Sequence, residues 1–111
     1  MKILLLDENL PAPLKEDFSA QFTVFTVHDK GWQSKQNGEL LRALEEEEID
    51  FLITADRNLE YQQNVSVYRL RLVVLLTYDN RYQSLKEKVP VIEEGILKAD
   101  NSLQIIKIDL R

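Results

Sequence analysis

The chain has 111 residues, no cysteine, 44% hydrophobic residues and a net charge of -5 from 14 Lys and Arg against 19 Asp and Glu. This length suits a single domain over 1–111 that buries roughly two-thirds of its unfolded surface, and the missing thiols exclude a disulfide framework and a zinc–thiolate site. With no leader segment and no run of about 20 apolar residues, a cytoplasmic protein without a membrane partner is expected, and the acidic balance excludes broad attraction to a polyanion.

In chain order, KILLL at 2–6 reads as a buried strand. Pro11 and Pro13 suit a loop or first helical turn, and Leu14, Phe18 and Phe22 supply helical spacing. FTVFTV at 22–27, rich in β-branched and aromatic residues, predicts a second strand closed by the polar HDKG. After an irregular connection through Trp32, Asn37 and Gly38 offer an N-cap to a helix with Leu40, Leu41 and Leu44 on one stripe. IDFLIT at 49–54 predicts the third strand, and ADRNLEYQQNV a turn into a helix. RLVVLLT at 71–77 is the fourth strand, a helical stretch begins near Pro90, and SLQIIKIDL at 102–110 is the fifth strand.

Strands alternating with helical segments, several of them continuously apolar, predict an α/β fold: a three-layer α/β/α sandwich around a mainly parallel five-stranded sheet. In such sheets the functional crevice lies beyond the carboxyl ends of the strands, where the strand order reverses. Asp7 follows the first strand, Asp56 the third and Asp79 the fourth, and Glu39 joins them if its helix starts at that edge. Adjacent residues of an extended chain point opposite ways, so Asp7 facing the crevice leaves Glu8 in solvent. Converging carboxylates are hard oxygen ligands suited to Mg²⁺ or Mn²⁺, ions that assist hydrolysis of phosphodiesters.

The segments MKILLLDENLP, NGELL and FLITADRNLEYQQN resemble the PIN-like domain family of small prokaryotic proteins, relatives of the PIN nucleases that act as toxins in toxin-antitoxin pairs. The likeness runs from Met1 to about Pro90. It implies a parallel α/β sheet and Mg²⁺- or Mn²⁺-dependent cleavage of single-stranded RNA. By motif position Asp7, Glu39 and Asp56 match the family's acids and are the candidate catalytic residues and metal ligands. Asp79 is the candidate fourth ligand, although its spacing follows no motif of the family. Asn9, Arg57 and Asn58, beside the acids, are candidates for holding the substrate phosphate, a task that suits the arginine fork. An antitoxin protein and a second copy of the chain are the partners the resemblance implies besides RNA.

Each acid also has an ordinary structural role open to it. Asp7 can close a polar turn, Glu39 can offset its helix dipole, and Asp56 can cap the helix beginning near Asn58. The EEEE run at 45–48 radiates around a helix and reads as a solvated face, and the lone His28 has no triad partner and reads as a loop or surface residue. Trp32, Tyr61, Tyr68, Tyr78 and Tyr82 suit a core or subunit interface better than a base platform, while Lys30, Lys35, Arg57 and Arg81 could line the sheet edge for an RNA backbone. With three glycines and no Gly-rich motif, a nucleotide cradle is not expected. Two other functions fit the pattern. One is a non-catalytic PIN-like module that binds a partner. The other is a phosphoacceptor receiver domain with Asp56 as acceptor and Thr77 after the fourth strand, although no lysine ends a fifth strand and no helix follows it.

Overall fold

Residues 2–111 are described in a computed structural model of the chain. Five apolar runs become the strands β1 (Lys2–Leu6), β2 (Phe22–Thr26), β3 (Phe51–Thr54), β4 (Arg71–Leu76) and β5 (Ile105–Asp109). All pair in parallel, in the order β2-β1-β3-β4-β5. Between them lie α1 (Val27–Lys30), α2 (Asn37–Glu46), α3 (Leu59–Gln62), α4 (Tyr82–Lys86) and α5 (Val89–Lys98), with short 3-10 segments at Ala12–Asp17 and Val65–Val67.

Alternation along the strands divides the core into two layers of packing. Leu4, Leu6, Phe51, Ile53, Val73 and Leu75 face one way, covered by Leu14, by Leu85 of α4 and by Val89, Ile92 and Ile96 of α5. Leu5, Leu52, Leu72 and Val74 face the other, under Leu40, Leu41 and Leu44 of α2 and Leu59 of α3. A sheet buried on both faces needs strands without polar alternation, and this is why β3 is buried at all four positions. The architecture is the three-layer α/β/α arrangement expected from the sequence. No helix among the described residues is long and apolar enough to cross a membrane.

Local chemistry moves several boundaries. The first helical segment is a 3-10 turn at Ala12–Asp17, where Pro13 supplies no N–H and Leu14 is the buried residue. Val27 leaves the second strand and opens α1. There the Thr26 hydroxyl accepts from Asp29 N at 3.0 Å, and Asp29 Oδ2 accepts from Thr26 N at 2.9 Å, a reciprocal capping box. Gly31 ends that single turn at φ 72°, the left-handed conformation glycine adopts without a Cβ penalty. The helix α4 has no counterpart in the sequence reading. Its entry is held by Asp79, whose carboxylate accepts from Arg81 N and from the Ser84 hydroxyl.

Candidate functional site

From β1 the chain turns toward β2 and from β3 toward β4, so the loops after β1 and β3 diverge and leave a crevice at the carboxyl edge. Asp7 and the Asn9 loop come from one side and Thr54 through Asn58 from the other. Asp7 N donates to Ile53 O at 2.9 Å, which extends the β1–β3 ladder by one residue and fixes where the Asp7 side chain leaves the sheet.

Thr54 joins the two loops. It ends β3 with its side chain fully buried, and its hydroxyl donates to Asp7 Oδ2 at 2.8 Å. Its two lone pairs accept from Asn9 Nδ2 at 3.0 Å and Asp56 N at 3.0 Å. One donor and two acceptor positions are the whole capacity of a hydroxyl, so Thr54 is saturated and its proton is directed at Asp7. The buried polar group is thereby satisfied, and the same oxygen holds the Asp7 carboxylate and the Asp56 backbone N–H. The sequence reading passed over Thr54. Its signal was a hydroxyl closing the otherwise apolar FLIT strand.

The remaining oxygens define what the edge can hold. Asp7 Oδ1 accepts from Glu8 N at 2.8 Å. Asp56 Oδ1 accepts from Asn58 N at 2.9 Å in an Asx turn, whereas Oδ2 accepts no hydrogen bond among the described residues. The Asn9 amide is engaged at both ends, by Thr54 and, through Oδ1, by Ala55 N at 3.3 Å, so Asn9 clamps the β1 loop to the β3 loop. Arg57 and Asn58 are exposed. Arg57 makes no hydrogen bond or ion pair among the described residues; its guanidinium is open to solvent, with Asp109 near enough to feel its charge.

Glu39 and Asp79 are engaged elsewhere. Glu39 is exposed, and its Oε1 accepts from Gln36 N at 3.0 Å, capping its own helix. Asp79 holds the Arg81 guanidinium at 2.8 Å through Oδ2, together with the Ser84 hydroxyl at 2.5 Å. These contacts, the guanidinium first, keep its carboxyl well below the usual carboxylate range. Among the described residues no group of three or more His, Cys, Asp and Glu side chains is gathered as a metal cage. The structure thus joins Asp7 with Asp56 and shows Glu39 and Asp79 in separate hydrogen-bonded settings.

His28 stands near the same edge, exposed at the end of β2. Its Nδ1 lies 2.7 Å from Gln33 Nε2 and is engaged with that amide, which leaves Nε2 as the free ring nitrogen. Asp7, Glu8, His28 and Gln33 line a cleft of about 250 Å³. A larger cleft of about 540 Å³ opens at the opposite edge, where Lys2, Arg69 and Arg71 face Glu45, Glu48 and Asp50. It lies away from the strand ends that carry Asp7 and Asp56. Comparison of the chain with family models, with curated proteins and with solved structures gives no match.

Proposed function

We propose that the carboxyl edge between β1 and β3 is a metal-dependent phosphodiesterase site acting on single-stranded RNA, of PIN-like type. The observation that carries this reading is that one buried hydroxyl at the strand-order switch holds both the Asp7 carboxylate and the backbone N–H of Asp56, which brings the two residues to one edge. A divalent cation fits these donors by chemistry. Every group is oxygen, both Asp7 oxygens retain a second lone pair, and Mg²⁺ takes one or two carboxylates together with waters and substrate phosphate. Asp7 and Asp56 would hold the ion, which supplies Lewis-acid polarisation and a more acidic water. Glu39 and Asp79 are proposed as outer participants, reached only if their present partners are exchanged.

The chain's own residues perform the rest. Thr54 keeps Asp7 in one rotamer, and Asn9 holds the two loops at fixed spacing, so the carboxylates meet the substrate without reorganisation. Arg57 offers its fork to a non-bridging phosphate oxygen, and Asn58 adds an amide beside it. On this reading the chain suits the toxin of a toxin-antitoxin pair, a protein antitoxin covering the acidic edge and a homodimer presenting two such edges.

The strand order favours a second reading. The order 2-1-3-4-5 is also that of receiver-type α/β domains. Asp56 would then accept a phosphoryl group. Against it, the lysine of β5, Lys107, lies two residues inside the strand and pairs with Glu60, while the strand end carries Asp109 paired with Arg111.

The deciding experiment incubates repurified protein with a fluorescent single-stranded RNA and Mn²⁺, beside Asp7→Asn and Asp56→Asn. Cleavage by the parent that is lost in both variants, with a melting temperature raised by Mn²⁺ in the parent alone, supports the nuclease. Equal cleavage by all three exposes a contaminant and leaves the partner-binding module. Incorporation of phosphate at Asp56 from a small acyl-phosphate donor marks a receiver.

A further inference from the structure

The cleft beside Asp7 is formed by three segments: the loop after β1, the 3-10 turn that follows it, and α1 with the connection to Gln33. Its volume is about 250 Å³, below the roughly 300–1,000 Å³ of sites for drug-sized ligands, so it suits one small ring system. Its apolar walls include Leu10 and Val27, both buried. Its polar rim is Asp7, Glu8, His28 and Gln33. Glu8 is exposed and makes no side-chain hydrogen bond among the described residues.

The charges of that rim select the ligand. Two carboxylates line the cleft and no lysine or arginine does, so an anion such as phosphate is disfavoured inside it. Carboxylates accept hydrogen bonds, and His28, with Nδ1 engaged by Gln33, presents Nε2 as its free ring nitrogen. A neutral, flat ligand whose edge carries both N–H donors and acceptors meets the carboxylates and His28 Nε2 together. We infer that this cleft is a nucleoside subsite, holding a base while the phosphate attached to it lies outside at Asp7. The inference rests on the nuclease reading for its choice of ligand, and Asp7 links the two because it borders both cleft and edge. Specificity then comes from hydrogen bonds to the base edge, and Glu8 and His28 read it.

The chain has a single histidine, so its Cε1 proton reports on the cleft without assignment. Adenosine, guanosine, cytidine and uridine are titrated separately into the protein in EDTA and followed by NMR, with blocked arginine as a cationic probe. A saturable displacement of the His28 signal by at least one nucleoside at millimolar concentration is expected. It is lost in Ala12→Phe, where an exposed wall residue is enlarged to fill the cleft, and weakened several-fold in Glu8→Leu. No displacement by any nucleoside, displacement by blocked arginine alone, or displacement that survives both substitutions overturns the inference. Because this readout needs neither metal nor cleavage, the two proposals fail separately. Nucleoside binding without RNA hydrolysis removes the nuclease and keeps the cleft, and hydrolysis without nucleoside binding does the reverse.

Discussion

Thr54 Oγ1 donates to Asp7 Oδ2 across 2.8 Å, and the same oxygen accepts the N–H of Asp56. A buried hydroxyl with all three positions filled is worth more as a junction than as a polar residue, because its loss strands two donors at once. Thr54→Val keeps the shape and removes the oxygen, leaving Asn9 Nδ2 and Asp56 N unpaired. Urea denaturation should show a loss of about 1–3 kcal/mol, with Thr54→Ser close to the parent. If the edge binds a metal, Thr54→Val should also weaken Mn²⁺ binding or RNA cleavage by about 10- to 100-fold, the usual cost of removing a hydrogen bond that orients a ligand.

Asp79 makes a prediction about acid. Its folded-state carboxyl lies below the usual range, chiefly through the Arg81 guanidinium, then the Ser84 hydroxyl and the Arg81 N–H. A depressed folded value means that the unfolded chain takes up the proton first. The stabilisation is fully present above the unfolded value of about 3.9 and is lost as pH falls toward the folded one. Asp29, held by Lys15, and Glu45, held by the N–H groups of Arg69 and Leu70, shift the same way. Urea midpoints measured between about pH 2 and pH 7 should therefore fall on the acid side in the parent, and Asp79→Asn should flatten part of that slope. Because Arg81 is largely exposed, the difference should shrink in high salt.

The layers of the fold were legible because burial on both faces leaves long apolar runs, as in KILLL and RLVVLL, which few other environments produce. Elements defined by side-chain hydrogen bonds were not. Val27 continues the β pattern of FTVFTV, yet the Thr26–Asp29 capping box turns the chain into a helix at that residue. The entry to α4 depends on Asp79 and Ser84 meeting across five residues, which hydrophobic periodicity cannot register. At the candidate site, strand ends located Asp7 and Asp56 correctly at one edge. The engagement of Glu39 by Gln36 and of Asp79 by Arg81 depends on local geometry that composition does not encode.

Gln104 supplies a test away from the site. The two N–H bonds of its Nε2 are shared among Val65 O, Tyr68 O at 2.8 Å and Leu70 O at 3.3 Å, tying the connection before β4 to the start of β5. Gln104→Met keeps length and apolar volume and removes the amide. A loss of about 1–3 kcal/mol in urea denaturation is expected, with faster amide exchange over residues 65–70, because the Tyr68 and Leu70 carbonyls lose the amide while Val65 O keeps only the Tyr68 N–H.

The two helical glycines make opposite predictions. A Cβ at Gly38, in the first turn of α2, would meet only Gln63 Oε1 at 3.4 Å, an ordinary contact. Gly38→Ala should stabilise by up to about 1 kcal/mol through helix propensity. A Cβ at Gly95, in α5, would lie 2.7 Å from Ile108 Cδ1 and 3.0 Å from Cγ1, inside van der Waals contact with a buried β5 residue. The same propensity gain is then outweighed by overpacking of about 1–3 kcal/mol, because α5 must rise off the sheet or Ile108 must leave its rotamer. Ile108→Val removes the nearer atom. In a double-mutant cycle Gly95→Ala should therefore cost less in the Ile108→Val background than in the parent, with a coupling of at least about 0.5 kcal/mol. Additive effects would mean that α5 does not rest on β5 through this pair.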